Sequence, residues 1–181
     1  MTCIIGYVDE GVVYIGGDSA SVSGLDMMVR EDSKVFRKGK MIFGFAGSFR
    51  MGQLLRYSLK IPNQTSEQSD FGYLCTSFIS AVKNCFKDNE YSPIKDSVPS
   101  GGCFLLGYQG KLYQIHSDFQ VSETSSKFDT CGCGEDYAKG AMEVLDKQDL
   151  GLTAKTKIFK ALAVAEKFSI GVSGPFNIIS L

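Results

Sequence analysis

Residues 2–18, Thr-Cys-Ile-Ile-Gly-Tyr-Val-Asp-Glu-Gly-Val-Val-Tyr-Ile-Gly-Gly-Asp, hold two β-rich apolar runs, Thr2 to Val8 and Gly11 to Gly16, separated by the turn signature Asp9-Glu10-Gly11. Apolar runs of this kind on both sides of a tight turn predict an opening hairpin. A threonine therefore begins a buried strand. Removal of Met1 would leave Thr2 with a hydroxyl nucleophile and a free amine able to take its proton. Such an amine titrates near about 7.7–8.0, close to working pH, so one residue would supply nucleophile and base. Met-Thr alone is a common start, and its meaning depends on the residues that follow.

Working outward, Lys34 to Arg37 and Met41 to Ala46 form a second predicted hairpin across Lys38-Gly39-Lys40. Ser48 is placed to cap a helix whose Met51, Leu54, Leu55 and Leu59 share one face. The strongest helical period is carried by Phe71, Leu74, Cys75, Phe78, Ile79, Val82 and Phe86. The polar stretch Pro62 to Asp70, and Lys87 to Gly102 with Pro93 and Pro99, read as loops. Strands are predicted at Cys103 to Tyr108 and Lys111 to His116, turning at Gln109-Gly110, and near Phe128 to Cys131. Gly132 and Gly134 lead into a helix from Glu135 to Leu145, and Thr153 to Lys167 is another. Ile170 to Val172 and Phe176 to Ile179 return to strand, interrupted by Gly174-Pro175. Hairpin-rich strand blocks imply antiparallel sheets, and two pairs of helices suffice to cover two stacked sheets. The expected fold is α+β, a four-layer αββα sandwich with two antiparallel sheets, formed by residues 1–181 as one domain.

Composition narrows the function. Hydrophobic residues make up 44% and charged residues 22%, as in ordinary globular proteins. The net charge of -1, with dispersed Lys and Arg, argues against nucleic acid as a partner. No apolar run approaches the roughly 20 residues of a spanning helix, and no signal-like N-terminus is seen, so a cytoplasmic protein without a membrane role is expected. In that compartment the six cysteines read as reduced, with Cys75, Cys85 and Cys103 in the core. Cys131 and Cys133 form a C-x-C pair, but no second cluster completes four ligands, and no metal is expected. His116, the single histidine, reads as a strand-end side chain, which excludes two-histidine mechanisms.

Thr2-Cys3-Ile4-Ile5-Gly6, Gly16-Gly17-Asp18-Ser19-Ala20, Lys34-Val35, Gly44-Phe45-Ala46-Gly47-Ser48 and Gly132-Cys133-Gly134-Glu135-Asp136-Tyr137-Ala138 together carry a resemblance. The chain resembles the N-terminal nucleophile (Ntn) hydrolases of the proteasome β-subunit superfamily, especially the stand-alone bacterial and phage proteasome-like proteins. The likeness spans nearly the whole chain, with its specific anchors in the first third. It implies the Ntn hydrolase fold, with Thr2, Asp18, Lys34 and Gly47 as catalytic residues. Lys34 would favour negative charge developing near the threonine, where otherwise it reads as a solvated strand lysine. Asp18 would pair with that lysine and fix it, where otherwise it reads as a turn aspartate. Gly47 would offer its N–H to an oxyanion, with the start of a helix at Ser48 beside it. Phe36 and Phe45 share strand faces with these residues and are candidates either for the substrate pocket or for the core.

Two positions depart from the family's pattern. Cys133 stands where serine is usual, a weaker donor beside the threonine amine. Glu166, three residues before Ser169, stands where the family has aspartate; it either reaches the amine or is an ordinary surface helix residue. Cys133, Glu166 and Ser169 are thus expected supporting residues. By resemblance the activity is that of a threonine peptidase acting on polypeptide after loss of Met1, without metal or organic cofactor. The same resemblance implies a homo-oligomer and an ATPase unfoldase as a partner. A small-molecule amidase on the same scaffold and a catalytically inactive assembly protein are the alternatives.

Overall fold

The computed structural model describes residues 1–91, 94–95, 98–99, 101–148 and 151–181. Strands β1 (Ile4–Asp9) and β2 (Val12–Gly17) form the opening hairpin, in register from Ile4↔Gly17 to Asp9↔Val12. Glu10 and Gly11 at its tip both have positive φ, 49° and 81°, the backbone that a two-residue turn needs between twisted strands. A ribbon follows, β3 (Ala20–Ser23) paired with β4 (Asp26–Val29). Next come β5 (Val35–Lys38) and β6 (Met41–Ala46), turning where the sequence predicts.

Helix α1 (Phe49–Gln53) continues as a π segment, Leu54–Ser58; α2 (Asp70–Tyr73) continues through a π segment, Leu74–Phe78, into α3 (Ile79–Asp88). Ser48 caps α1 by accepting from Met51 N at 3.3 Å, and Ser69 caps α2 by accepting from Gly72 N at 3.1 Å. After the short pair β7 (Ile94–Lys95) and β8 (Val98–Pro99) come β9 (Cys103–Tyr108), β10 (Lys111–Ile115), β11 (Val121–Glu123) and β12 (Phe128–Cys131). Helices α4 (Glu135–Lys147) and α5 (Ala154–Phe168) precede the last strand, β13 (Asn177–Ser180).

The strands form two larger antiparallel sheets, ordered β12-β1-β2-β13 and β11-β10-β9-β6-β5. Three apolar clusters hold the layers. Ile4, Val13, Ile15, Val35, Ile42 and Leu105 pack sheet on sheet. Phe43, Leu55, Tyr73, Phe78, Val82 and Phe104 join the five-stranded sheet to α1–α3, while Ile5, Tyr7, Met142, Ile158 and Leu162 join the four-stranded sheet to α4 and α5. The α+β class with two antiparallel sheets is as expected.

Several local expectations are corrected. Ribbon β3–β4 and strand β11 were not predicted; β4 is exposed along its length, so burial imposes no alternation on it. Ile170–Val172 is not a strand: β13 already takes the edge of β2, and the segment loops around the end of α5. The stretch read as a loop after Phe86 holds the last residues of α3 and the β7–β8 pair, and Pro93 lies outside the described residues. Cys75 is exposed rather than core, because Leu74 and Phe78 define the buried side of that helix. No helix among the described residues is long and apolar enough to cross a membrane.

Candidate active site

Thr2 lies just before β1 and Asp18 just after β2, so the hairpin register brings both to one end of the same sheet. Two hydrogen bonds close that end. Cys3 N donates to Asp18 Oδ1 at 2.9 Å, and Asp18 N donates to Cys3 O at 3.3 Å. Lys34, one residue before β5, enters from the other sheet. Its Nζ donates to Asp18 Oδ1 at 2.9 Å and Oδ2 at 3.0 Å, with the two side chains 1% and 0% exposed.

Burial of an ammonium is tolerated only with close partners. Burial pushes the Lys34 ammonium below the ordinary lysine range, and the charge and hydrogen bonds of Asp18 oppose that fall. Asp18 Oδ2 also accepts from Ala20 N at 3.0 Å. The carboxylate is therefore held from three directions and cannot swing away. Burial likewise drives the neighbouring Cys3 thiol far up, with the Asp18 charge second, so Cys3 is an inert spacer.

Thr2 is itself buried, and its hydroxyl donates to the Met1 carbonyl, which also accepts from Lys34 Nζ at 3.3 Å. The nucleophile candidate and the ammonium thus converge on one oxygen. The Thr2 nitrogen, here the Met1–Thr2 amide, donates to Cys133 Sγ at 3.2 Å, and Cys133 Sγ lies 3.6 Å from Ser169 Oγ. Cys133 and Ser169 therefore sit in line behind the nitrogen. The turn carrying Cys133 also grips the Thr2 carbonyl, which accepts from Gly134 N at 3.2 Å. Gly132 has φ 108°, and a Cβ there would stand 2.3 Å from Thr2 O, so no other residue permits this approach.

A cavity of about 530 Å³ opens onto Met1 and Thr2, with Gly47, Cys103, Gln114, His116 and Glu135 in its wall. Gly47 has φ 98°, yet a Cβ there would meet nothing within 4 Å. Glycine is thus demanded by backbone conformation and not by packing. A larger cavity, about 740 Å³, lies away from Thr2, beside Gln64, Tyr73 and Tyr108. Among the described residues no three His, Cys, Asp or Glu side chains are grouped as metal ligands.

Three site expectations meet a different geometry. Phe36 and Phe45 belong to the core between the five-stranded sheet and its helices, Phe36 stacked on Phe43 at 4.9 Å and Phe45 edge-on to Phe49 at 5.9 Å; neither lines the cavity at Thr2. Their strand alternation points them away from the seam between the sheets. Glu166 accepts from Gly174 N at 2.8 Å, so its carboxylate holds the loop before β13 instead of approaching Thr2. The longer side chain reaches past the helix end to that loop.

The structure also adds residues that periodicity does not reveal. Phe49 lies 5.7 Å below Lys34 Nζ and stacks 4.0 Å from the Arg30 guanidinium, which is paired with Asp32. His116, beyond the end of β10, faces the cavity wall and bonds Ser122 Oγ at 2.9 Å. Neither carries a local motif; only the meeting of both sheets at this end places them there.

Compared with solved structures, the chain has the fold of the proteasome β-subunit-like Ntn hydrolases. It is similar to Thiobacillus denitrificans BPH, a structure in complex with epoxomicin, at 18% identity and TM-score 0.82, covering 99% of this chain and 98% of that one. It is also similar to eukaryotic HslV from Trypanosoma brucei, at 16% identity and TM-score 0.69 over 99% of each chain, and to an Anbu (Gly-1) mutant from Hyphomicrobium sp. strain MC1, at 15% identity and TM-score 0.69 over 100% of this chain and 82% of that one. No family model matches the sequence, and no curated protein matches it.

Proposed function

We propose that this chain is a threonine-type N-terminal nucleophile hydrolase that cleaves amide bonds of polypeptides once Met1 has been removed. The observation that carries the reading is the buried Asp18–Lys34 pair aimed at the same oxygen as the Thr2 hydroxyl. Buried lysines are costly, and this one is held by a buried carboxylate beside Thr2. With Met1 gone, the freed Thr2 amine takes the hydroxyl proton, directly or through a water, and Oγ1 attacks the substrate carbonyl. Gly47 N–H and the Lys34 charge stabilise the oxyanion; collapse expels the amine with its proton and leaves an acyl-threonine ester. Water then attacks that ester, releasing the acid and restoring the hydroxyl. Cys133 and Ser169 position the amine; Glu166 has no part in this scheme.

The fold likeness and the sequence resemblance support a cytoplasmic homo-oligomer that shelters the sites, served by an ATPase unfoldase. A non-catalytic assembly protein is the second reading, favoured by the engagement of Glu166 with Gly174 in place of Thr2. One experiment separates them. Intact mass of native protein is measured before and after treatment with a threonine-directed β-lactone, with epoxomicin, the ligand of the BPH complex, as a second probe. Loss of one methionine and an adduct mapped to Thr2 support the hydrolase. A retained Met1 with no adduct favours the assembly protein.

A further inference from the structure

Cys103 opens β9 and Cys131 closes β12, one strand in each of the two larger sheets. Cys103 is opposite Ala46 on β6, and the Ala46 Cβ lies 3.4 Å from where a Cβ would stand on Gly132, the residue after Cys131. β9 and β12 approach within 8 Å of each other, Cα to Cα. Cys103 packs against the apolar cluster in the seam between the sheets that contains Cys131, which brings the two thiols into one neighbourhood. Gln114 Nε2 donates to Cys103 Sγ at 3.2 Å.

The two cysteines differ in access. Cys131 is fully buried, whereas Cys103 is half-buried and forms part of the wall of the Thr2 cavity. They also differ in acidity. The interaction with Cys131, with the hydrogen bond from Gln114, pulls the Cys103 thiol below its ordinary value against the effect of burial, while the same interaction and burial push Cys131 well up. Thiolate character combined with an opening to solvent marks the reactive member of a pair. Cys133, in the same cavity, is turned instead toward Thr2 and Ser169.

We propose that Cys103 and Cys131 form a two-thiol oxidation site in the wall of the Thr2 cavity, responsive to small peroxides and closing as a disulfide between the two sheets. The Cys103 thiolate attacks hydrogen peroxide, forming an S–O bond and breaking O–O; the departing hydroxide takes a proton and leaves as water. The Cys131 sulfur then attacks the Cys103 sulfenic acid, forming S–S and breaking S–O, and its proton leaves with the hydroxide as a second water. Two thiols are oxidised and one peroxide is reduced. Cys131 needs no solvent path, since its partner is the neighbouring sulfur. Any effect of the bridge on substrate access to Thr2 rests on the hydrolase reading; the bridge itself does not.

Native protein is treated with hydrogen peroxide, quenched by alkylation and mapped by peptide mass. The expected result is a loss of about 2 Da, two hydrogens, with a Cys103–Cys131 linked peptide that dithiothreitol restores to free thiols. In Cys131→Ser the sulfenic acid has no partner, so Cys103 is recovered carrying stable added oxygens; Cys131→Ala serves the same purpose if a hydroxyl at this dry position prevents folding. In Cys103→Ser, Cys131 remains reduced. Recovery of Cys103 and Cys131 as free thiols after the wild type has been oxidised elsewhere overturns the proposal, as does a bridge from Cys103 to any other cysteine. Because the readout is mass, it stands whether or not Thr2 proves to be a nucleophile.

Discussion

At Lys34 the cost of a buried charge and the chemistry proposed for it can be tested separately. Replacing it with methionine keeps the length of the side chain but leaves the Asp18 carboxylate buried without its cation. Breaking such a pair from one side typically costs about 3–5 kcal/mol. The backbone donors from Cys3 and Ala20 remain, so the lower end of that range is expected for Lys34→Met. Urea denaturation measures it, and Asp18→Asn combined with Lys34→Met should recover part of the loss by removing the orphaned charge.

The same residue sets a limit on pH. Acylation of Thr2 in Met1-free protein should rise as the amine loses its proton, near about 8, and fall again as the Lys34 ammonium deprotonates. Because burial lowers the Lys34 value, the alkaline limb should fall before the ordinary lysine range is reached. The sign for stability follows. A lysine with a depressed folded value binds fewer protons folded than unfolded in the interval between the two values, so its contribution makes the protein more stable as pH rises through that interval. A rate profile with no alkaline limb below the ordinary lysine range would remove Lys34 from the charge-stabilising role.

Among elements, the turns decide the site more than the strands do. The Gly132–Gly134 turn and the Gly47 turn bring backbone against Thr2 and the cavity, and each uses a backbone that a side chain resists. Gly132→Ala places a methyl group 2.3 Å from Thr2 O and must push the turn and threonine apart. It should abolish adduct formation and also lower stability. Gly47→Ala meets no neighbour, so its cost is conformational, roughly 1–3 kcal/mol if φ stays positive. Thermal unfolding together with adduct yield distinguishes the two: both readouts fall for Gly132→Ala, and a full yield in Gly47→Ala would exclude its N–H from the oxyanion role.

The same contrast explains how much of the site is legible in the sequence. Thr2, Asp18 and Lys34 flank apolar runs bounded by clear turn signatures, so their convergence can be read from hairpin register and resemblance. Glu166 could not, because a side chain at a helix end chooses its partner from a loop whose path depends on the whole fold. Phe36 and Phe45 share the strand period of the site residues, but periodicity does not say which side of a sheet meets a helix and which a cavity. Cys103 and His116 reach the Thr2 cavity, and Phe49 reaches the Lys34 ammonium, through contacts between segments distant in sequence, and no local spacing carries that information.

For the whole molecule, the outermost layer is less finished than the three cores. Tyr137 and Val144 are exposed on α4 and Val164 and Phe168 on α5, with the Tyr137 and Phe168 rings stacked at 5.7 Å. Ile170 follows at 85% exposure. Exposed apolar side chains on two neighbouring helices cost free energy in water unless another surface covers them. In the homo-oligomer proposed above, a second copy supplies that cover. Analytical ultracentrifugation should therefore show species larger than the 19.7 kDa chain, and Phe168→Glu should shift them toward monomer while circular dichroism stays unchanged. The charge acts at the covered face and leaves the core between α4, α5 and the four-stranded sheet untouched. A wild type that sediments as a monomer at all concentrations would show that this face needs no partner copy, and the sheltering of the threonine sites by assembly would fall with it.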